Sequence, residues 1–125
     1  YEAGAPMPPV LADREPLKQV FLNICKNGIE AMAEVGGGVL TITERLDEAE
    51  ERIHIDIHDT GPGIPSFLID KIFDPFFTTK AEGTGLGLSV CQRIIHDLRG
   101  TLRVSSKGYG TTFTISLPYV KQSER

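Results

Sequence analysis

The sequence predicts an α+β domain: a two-layer α/β sandwich in which a mixed, mostly antiparallel sheet carries about three helices on one face. Two observations predict it. Apolar and polar residues alternate in several segments between residues 40 and 117, whereas apolar residues recur at helical spacing over residues 14–32 and 85–98. The 125 residues suffice for one core, so residues 1–125 are expected to form a single domain.

The first helix is predicted to follow a short irregular stretch. Residues 1–9 are rich in Pro, Gly and Ala and indicate a linker or a truncated edge strand continuing to Val10–Leu11. Asp13 can cap the helix, and Pro16 is tolerated in its first turn. The glycines at 36–38 end it. Its predicted apolar stripe comprises Leu17, Val20, Phe21, Ile24, Ile29 and Met32.

Two strands are predicted next. Apolar residues alternate with threonines over residues 40–43, and with charged residues and histidines over residues 52–58. The two segments are joined around residues 47–50 and predict an antiparallel pair with one buried and one wetter face. His54 and His58 alternate with the buried isoleucines and are most simply interpreted as exposed sheet residues.

The second half of the chain is predicted to contain two helices and a hairpin. Residues 74–84 lack clear periodicity and indicate a mobile flap. The longer helix is expected to end at Gly100, and the hairpin turns across residues 107–110. The predicted elements are a short helix over about 66–72, a longer one over about 85–98, and strands over 101–105 and 111–117.

The composition excludes several functions. A formal net charge of −4 argues against a nucleic-acid-binding face, which needs a basic stripe. The sequence shows neither a bilayer-length apolar run nor a signal peptide, and we expect a cytoplasmic domain. Cys25 and Cys91 have neither CxxC nor metal-ligand spacing, so they are interpreted as reduced, buried thiols rather than a disulfide.

Two asparagines on the first helix are candidate metal and phosphate ligands. Asn23 and Asn27 are four residues apart, which places both amides on one helix face. Amide oxygens suit Mg²⁺, which takes a few protein oxygens and completes its octahedron with phosphates and water. Asn27 is the better metal candidate. Taken alone, the pair is more often a solvated polar face, but its apolar neighbours and low helix propensity favour a functional role.

A carboxylate at a strand end is a candidate for base recognition. Asp59 precedes Thr60-Gly61-Pro62-Gly63, where a buried carboxylate can accept a hydrogen bond from a donor such as the adenine 6-amino group. Gly61 and Gly63 permit positive φ and let a flat ring approach the main chain. The alternative is a simple Asx turn at a strand end.

A third motif, Gly83-Thr84-Gly85-Leu86-Gly87-Leu88, immediately precedes a predicted helix. Its free N–H groups and the helix dipole would converge on one point, which predicts an anion site. The motif is not a Walker loop, because a Walker loop ends in Lys-Ser/Thr and this one does not. It is not a Rossmann fingerprint either, because that motif directly follows a strand and this one does not. The aromatic run at 73–77 indicates either packing or a hinge that docks on a ligand. The three motifs together predict an ATP site.

In this order, the motifs resemble those of the catalytic and ATP-binding domain of bacterial sensor histidine kinases, in the GHKL superfamily of gyrase, heat-shock chaperone and mismatch-repair ATPases. The resemblance covers nearly the whole chain. The matching segments are residues 17–32 (N box), 59–64 (G1 box), 73–77 (F box), 83–88 (G2 box) and the Gly-Thr-Thr-Phe at 110–113.

The resemblance implies a role for each site residue. Asn27 would bind Mg²⁺ and Asn23 would lie by the phosphates, while Lys80 would reach the terminal phosphate; these three are the expected catalytic residues. Asp59, Gly63 and Thr111 would hold adenine. Further ATP contacts are expected from Lys26, Gly61, Ile64, Phe76, Thr79, Gly83, Thr84, Gly85, Leu86, Gly87 and Leu88.

Two positions refine the resemblance. Many family members carry a basic residue where this chain has Glu30, so the triphosphate charge would be met by Lys26, Lys80 or the main chain. Gyrase-like ATPases and anti-sigma serine kinases typically place a glutamate base where Asn23 stands. An amide cannot take a proton, whereas a neutral imidazole already carries its lone pair, so Asn23 favours transfer to histidine.

The expected function is transfer of the γ-phosphate of Mg-ATP to a histidine on a separate helical dimerisation and phosphoacceptor domain, for relay to a response regulator. His96 precedes Asp97-Leu98-Arg99, as acceptor histidines often do, but it closes a helix here and is not expected to be the acceptor. The fragment is expected to be monomeric and its parent homodimeric. The alternative is a nucleotide- or partner-binding module without phosphotransfer.

Overall fold

A computed structural model describes residues 14–74, 87–106 and 109–119. It confirms the predicted two-layer fold: a four-stranded sheet in the order β1-β2-β4-β3, antiparallel throughout the described strands, with helices packed against it. The predicted strand at Val10–Leu11 lies outside the described residues. A mixed sheet would contain a parallel strand pair, and none occurs among the strands described. The elements are α1 Arg14–Ala33, β1 Leu40–Asp47, β2 Arg52–Asp59, α2 Ser66–Ile69, α3 Gly87–Asp97, β3 Thr101–Ser105 and β4 Thr111–Pro118.

The core lies between one face of the sheet and the helices α1 and α3. It forms because alternate strand residues point to this face and meet one stripe of each helix. Burying an aliphatic side chain of this size contributes roughly 1.5–3 kcal/mol, so the core holds both helices on the sheet. Its buried members are Val20, Ile24, Ile57, Ile72, Cys91, Ile95, Leu102, Phe113, Ile115 and Leu117.

Helix α1 differs from its prediction in one apolar residue. Val20, Ile24 and Met32 are buried as expected, but Ile29 is 57% exposed. Gly28 takes the inward position there, because at 100° per residue it continues the face of Val20 and Ile24. Ala33 is the last helical residue, and the expected glycines close the helix: Gly36 has φ 87°, and Gly37 N–H donates to Met32 O at 2.8 Å. The predicted Asp13 cap lies outside the described residues.

The first hairpin matches the predicted alternation. Leu40 pairs with Asp59 and Asp47 with Arg52, and the Asp47 carboxylate accepts a hydrogen bond from the Glu50 N–H in the turn. The second hairpin also forms where predicted, with Thr101 opposite Ser116. Its turn residues 107 and 108 are outside the described part of the chain.

The sheet face away from the helices is polar, and here the expectation for the two histidines was wrong. His54 and His58 are half-buried, because the register sets each beside a hydroxyl of β4. His54 Nδ1 hydrogen-bonds Ser116 Oγ, and His58 Nδ1 lies 2.8 Å from Thr112 Oγ1.

Between the two histidines, Asp56 accepts hydrogen bonds from Arg45 and from the Thr114 hydroxyl. The bond from Arg45 is the main reason that the pKa of Asp56 is lowered.

The two cysteines are free thiols, as expected, but only Cys91 is fully buried, whereas Cys25 is half-buried. Burial raises the pKa of both thiols. In the chain segments described, no helix is long and apolar enough to span a bilayer.

The second helix is shorter than predicted. α2 ends at Ile69 rather than near Ile72, and turns follow, with Lys71 N–H donating to Leu68 O and Asp74 N–H to Lys71 O. Ile72 leaves the helix but is buried in the core. The flap predicted over 74–84 falls outside the described residues beyond Asp74.

The end of α3 assigns different roles to Arg99 and Gly100. Arg99 has φ 63°, the left-handed conformation that normally favours glycine, and Gly100 N–H donates to Ile95 O at 2.8 Å. The sequence predicted that Gly100 ends the helix because glycine has a flexible backbone. In the structure a glycine is needed at this position because there is no space for a side chain. A methyl group there would collide with the Ser116 carbonyl oxygen and the Leu117 side chain.

Substitutions at these two neighbours are expected to have opposite effects. Arg99→Gly should raise the free energy of unfolding by about 0.5–1 kcal/mol, because it removes left-handed strain at some cost in unfolded-state entropy. Gly100→Ala should lower it by roughly 1–3 kcal/mol through overpacking. Urea unfolding of both variants measures this, and equal effects would contradict the assignment.

Candidate functional site

The candidate site lies where β2 ends, β4 begins and α1 crosses them. Asp59 is the last residue of β2 and pairs with Thr111, the first residue of β4. Both are buried, with Asp59 only 4% exposed. Gly28 of α1 packs directly on this point, since a Cβ there would lie 3.3 Å from Asp59 Cβ and 3.1 Å from Leu40 Cδ1. A buried carboxylate thus stands beside the helix turn that carries Asn27.

The Asp59 carboxylate is oriented by its own loop. Gly61 N–H donates to Asp59 Oδ1 at 2.9 Å, which is the Asx turn considered from sequence. The two interpretations are therefore compatible: the turn fixes the carboxylate and leaves acceptor capacity on it, since each oxygen has two lone pairs. Gly63 has φ 84°, as expected for a glycine in this loop, but Gly61 does not have a positive φ. Gly61 is close-packed instead, since a Cβ there would lie 3.2 Å from Ala31 Cβ.

The loop after β2 is attached on both sides. On one side, the Thr60 hydroxyl accepts a hydrogen bond from Val39 N–H at 2.9 Å and donates to Met32 Sδ. On the other side, Gly110 N–H donates to Gly61 O at 2.8 Å. The Ser106 hydroxyl accepts from Ile64 N–H, also at 2.8 Å.

Sequence reasoning missed Thr60 and Ser106. The signal for Thr60 was its place inside the Asp-Thr-Gly-Pro-Gly motif. Ser106 had only the weak signal of a hydroxyl residue directly after a predicted strand.

Gly110 is required at this junction. Its φ is 82°, and a methyl group on it would lie 2.6 Å from the Asp59 carbonyl oxygen and 3.0 Å from His58 Cε1. Only glycine lets the start of β4 approach the end of β2 this closely. Thr111 reaches its place opposite Asp59 because of this contact.

Asn23 and Asn27 lie half-buried on α1, one turn apart. Asn23 Nδ2 donates to the sulfur of Cys91 on α3 at 3.7 Å, so Asn23 faces the second helix. Asn27 precedes Gly28 and so lies next to the Asp59 end of the site. One helix face therefore connects the end of β2 with α3, the helix that follows the glycine-rich motif.

Lys26 and Glu30 form an i,i+4 ion pair on α1, with Lys26 Nζ 3.9 Å from Glu30 Oε1 and the lysine side chain 74% exposed. Such an exposed pair contributes little to stability, a few tenths of a kcal/mol (~0.3–0.5). The ammonium group of Lys26 nevertheless offsets part of the negative charge of Glu30, the residue that stands where a basic one was expected. Lys26 was expected to contact nucleotide, and it is positioned toward Glu30 here.

The remaining expected residues divide into two groups. Gly87 begins α3 and is exposed, whereas Leu88 packs against the core, as does Ile64. His96 is exposed and is followed by the last residue of α3, as its sequence position indicated. Outside the described residues lie Phe76, Thr79, Lys80, Gly83, Thr84, Gly85 and Leu86.

The structure thus brings Asp59, Gly61, Gly110 and Thr111 together and sets the Asn27 turn of α1 beside them. Among described residues, no group of three or more His, Cys, Asp or Glu side chains could hold a metal ion. The magnesium site expected at Asn27 would use an amide oxygen together with phosphate oxygens, so it does not require such a group.

Comparison with known proteins places the chain in a family. Residues 12–121 match the model for the histidine kinase-, DNA gyrase B- and HSP90-like ATPases, and the chain belongs to this family. The signal transduction histidine-protein kinase AtoS of Escherichia coli (strain K12) is 48% identical over 118 residues, which cover 94% of this chain and 19% of AtoS. The sensory histidine kinase/phosphatase NtrB of Rhizobium leguminosarum bv. phaseoli is 39% identical over 94% of this chain and 34% of NtrB.

Solved structures agree with the family assignment. The nucleotide-free catalytic domain of histidine kinase ThkA superposes with a TM-score of 0.76 at 40% identity, over 86% of this chain and 69% of that one. Full-length ShkA in complex with AMPPNP gives a TM-score of 0.76 at 31% identity, over 95% of this chain and 25% of that one. The fold is therefore that of histidine kinase catalytic domains, and the chain spans a fifth to a third of the curated relatives described above.

Gly110→Ala tests the close approach of β2 and β4. Gly36→Ala is the matched control, since Gly36 also has a positive φ, 87°, but nothing lies within 4 Å of its added methyl group. Gly36→Ala should lower the free energy of unfolding by about 1–2 kcal/mol through backbone strain alone. Gly110→Ala should lower the free energy of unfolding by roughly 1–3 kcal/mol more than that, because its methyl group would also collide with Asp59 O. Thermal unfolding compares them, and equal losses would show that the strands can separate freely.

Proposed function

We propose that this chain is the ATP-binding catalytic domain of a sensor histidine kinase, and that it transfers the γ-phosphate of Mg-ATP to a histidine on a separate helical domain. One observation carries the proposal. The carboxylate of Asp59 is buried yet held by its own loop, opposite Thr111 and beside the α1 turn that bears Asn27. This arrangement suits a donor-rich base at one end and a metal-bound phosphate chain at the other.

Asp59 would accept a hydrogen bond from the adenine 6-amino group. A carboxylate is an acceptor only, and a hydrogen bond to a charged acceptor is about twice as strong as a neutral one. The Gly61 N–H fixes Oδ1, so no reorganisation is needed when the base arrives. Thr111 lies directly across the strand pair and would complete this end of the site, with Gly63 against the ring.

Mg²⁺ fits the donor chemistry of α1. The amide oxygen of Asn27 is a hard ligand of the kind Mg²⁺ takes together with phosphate oxygens. When bound, the ion supplies charge neutralisation for the triphosphate. Asn27 would hold the metal and Asn23 would orient the phosphates. Because Lys26 is paired with Glu30, we assign the terminal phosphate to Lys80 and to the main chain of 83–87. Of these residues only Gly87 belongs to the described part of the chain.

The residue types favour transfer to histidine over hydrolysis. Asn23 offers an amide where a hydrolase needs a base, and its N–H is directed to Cys91. A neutral imidazole nitrogen needs no deprotonation before it attacks phosphorus. The domain then acts by positioning ATP, which supplies much of the catalysis in phosphoryl transfer.

The implied partners follow from the relatives. AtoS and NtrB are named as histidine kinases, and this chain covers only 19% and 34% of their lengths. We assign the missing acceptor to a helical dimerisation domain of the same kinase and the next step to a response regulator. The parent would be a homodimer with this domain in the cytoplasm, and the isolated domain would be monomeric.

Asp59→Asn should weaken binding of both ATP and ADP by ~1.5–3 kcal/mol, because the amide loses the charge that strengthens the bond to the adenine amine. The fold should persist, since an amide oxygen can still accept from Gly61. Titration calorimetry measures the affinities. Asp56→Asn is the matched control, because it removes a carboxylate from the same strand on the opposite sheet face. Equal affinities in the wild type and a folded Asp59→Asn variant would refute the adenine assignment.

Phosphotransfer is tested with γ-labelled ATP, given to the domain alone and with the helical domain of its parent kinase. We expect acid-labile label on the helical domain only, unchanged in His96→Ala, because the isolated domain has no acceptor imidazole in line with the γ-phosphate. Acid-labile label on the domain alone that disappears in His96→Ala would identify His96 as the acceptor. Acid-stable label would indicate transfer to serine, and ATP binding without any label would indicate a binding module.

A further inference from the structure

We infer that Ser106 is a positioning residue for the adenine end of the site, acting through the main chain of two loops; this inference rests on the proposed nucleotide function. Ser106 follows β3 and lies outside every motif that the sequence singled out. Its hydroxyl links the loop after β2 to the turn before β4, in addition to the hydrogen bond from Gly110 N–H to Gly61 O.

The Ser106 hydroxyl makes two hydrogen bonds to main-chain groups. Its oxygen accepts from the Ile64 N–H at 2.8 Å, across 42 positions of sequence. Its O–H donates to the Gly110 carbonyl oxygen, also at 2.8 Å. A hydroxyl has one donor and two acceptor positions, so this group serves both loops at once. Ser106 is half-buried, which limits replacement of either bond by water.

These two bonds extend a chain that begins at Asp59. Gly61 N–H donates to the Asp59 carboxylate, and Gly61 O accepts from Gly110 N–H. Gly110 O then accepts from Ser106, whose oxygen accepts from Ile64 N–H. The loop over 59–64 is therefore tied to the β3–β4 connection at both of its ends.

The place of these hydrogen bonds in the structure indicates which part of the site they affect. Residues 60–65 belong to neither a helix nor a strand, so their conformation depends on such bonds. Thr111 follows Gly110 directly and pairs with Asp59, so a shift of the Gly110 carbonyl alters both sides of the proposed adenine site. The proposed phosphate ligands are different residues: Asn23 and Asn27 of α1, Lys80 and the glycine-rich motif. The hydrogen bonds of Ser106 described above go instead to Ile64 and Gly110. Ser106 should thus affect the base end and not the phosphate end.

Calorimetry of Ser106→Ala tests this. We expect the Kd values for ADP and ATP to rise by the same factor, about three- to tenfold, corresponding to one net hydrogen bond. Ser105→Ala is the matched control: it removes the same hydroxyl one residue earlier, from an exposed side chain of β3, and should leave both affinities unchanged. Unchanged binding by Ser106→Ala, or a loss for ATP alone, would overturn the inference.

Amide hydrogen exchange separates positioning from a general loss of stability. In nucleotide-free Ser106→Ala, the Ile64 N–H should exchange at least severalfold faster, while amides of the β2–β4 ladder such as Ile57 keep their protection. Ser106→Thr retains the hydroxyl and should restore both Ile64 protection and affinity. Uniformly faster exchange across the sheet with no preference for Ile64, or failure of threonine to rescue, would assign Ser106 a structural role only.

The wild-type measurement distinguishes failure of this inference from failure of the proposed function. Wild-type protein that binds neither ADP nor ATP would refute the nucleotide site itself, and the role of Ser106 in binding with it. Wild-type protein that binds both, beside a folded Ser106→Ala variant that binds equally well, would refute only the role of Ser106.

Discussion

The pairing of β2 with β4 is the constraint on which the rest of the structure depends. It sets Asp59 opposite Thr111 on the buried face and leaves room only for glycine at 110. Because strand side chains alternate, a slip of one residue would turn Asp59 to the polar face and bring His58 into the core. The same register that buries Ile57 and Phe113 therefore also builds the candidate site.

Core and site share their supports. Helix α1 buries Val20 and Ile24 against the sheet while the same helix carries Asn23 and Asn27, so the amides are held by the packing of the hydrophobic core. Asn23 in turn contacts Cys91, a buried residue of α3. The loops at the site are tied mainly by hydrogen bonds to main-chain groups. The helices therefore supply a rigid support, and the loops supply the groups that face a ligand.

Local patterns predicted what depends on neighbours in sequence. All four described strands appear where apolar residues alternate, and α1 and α3 where apolar residues recur at helical spacing. Prediction was weaker at element ends. Gly100 was expected to end α3 through its backbone freedom, whereas Arg99 adopts the left-handed conformation and Gly100 avoids a collision with Ser116. Sequence shows that a glycine is needed but not whether conformation or space requires it.

By itself, the sequence determined the family, the fold class and the identity of Asp59, Asn23 and Asn27 as candidates, since these follow from motif order and short spacings. Tertiary structure alone decided which side chains meet across distant segments: His54 with Ser116, Asn23 with Cys91, and Ser106 with Ile64. These pairs are separated by 62, 68 and 42 positions. No local pattern encodes such contacts, because they depend on strand register and helix docking, which the whole core fixes together.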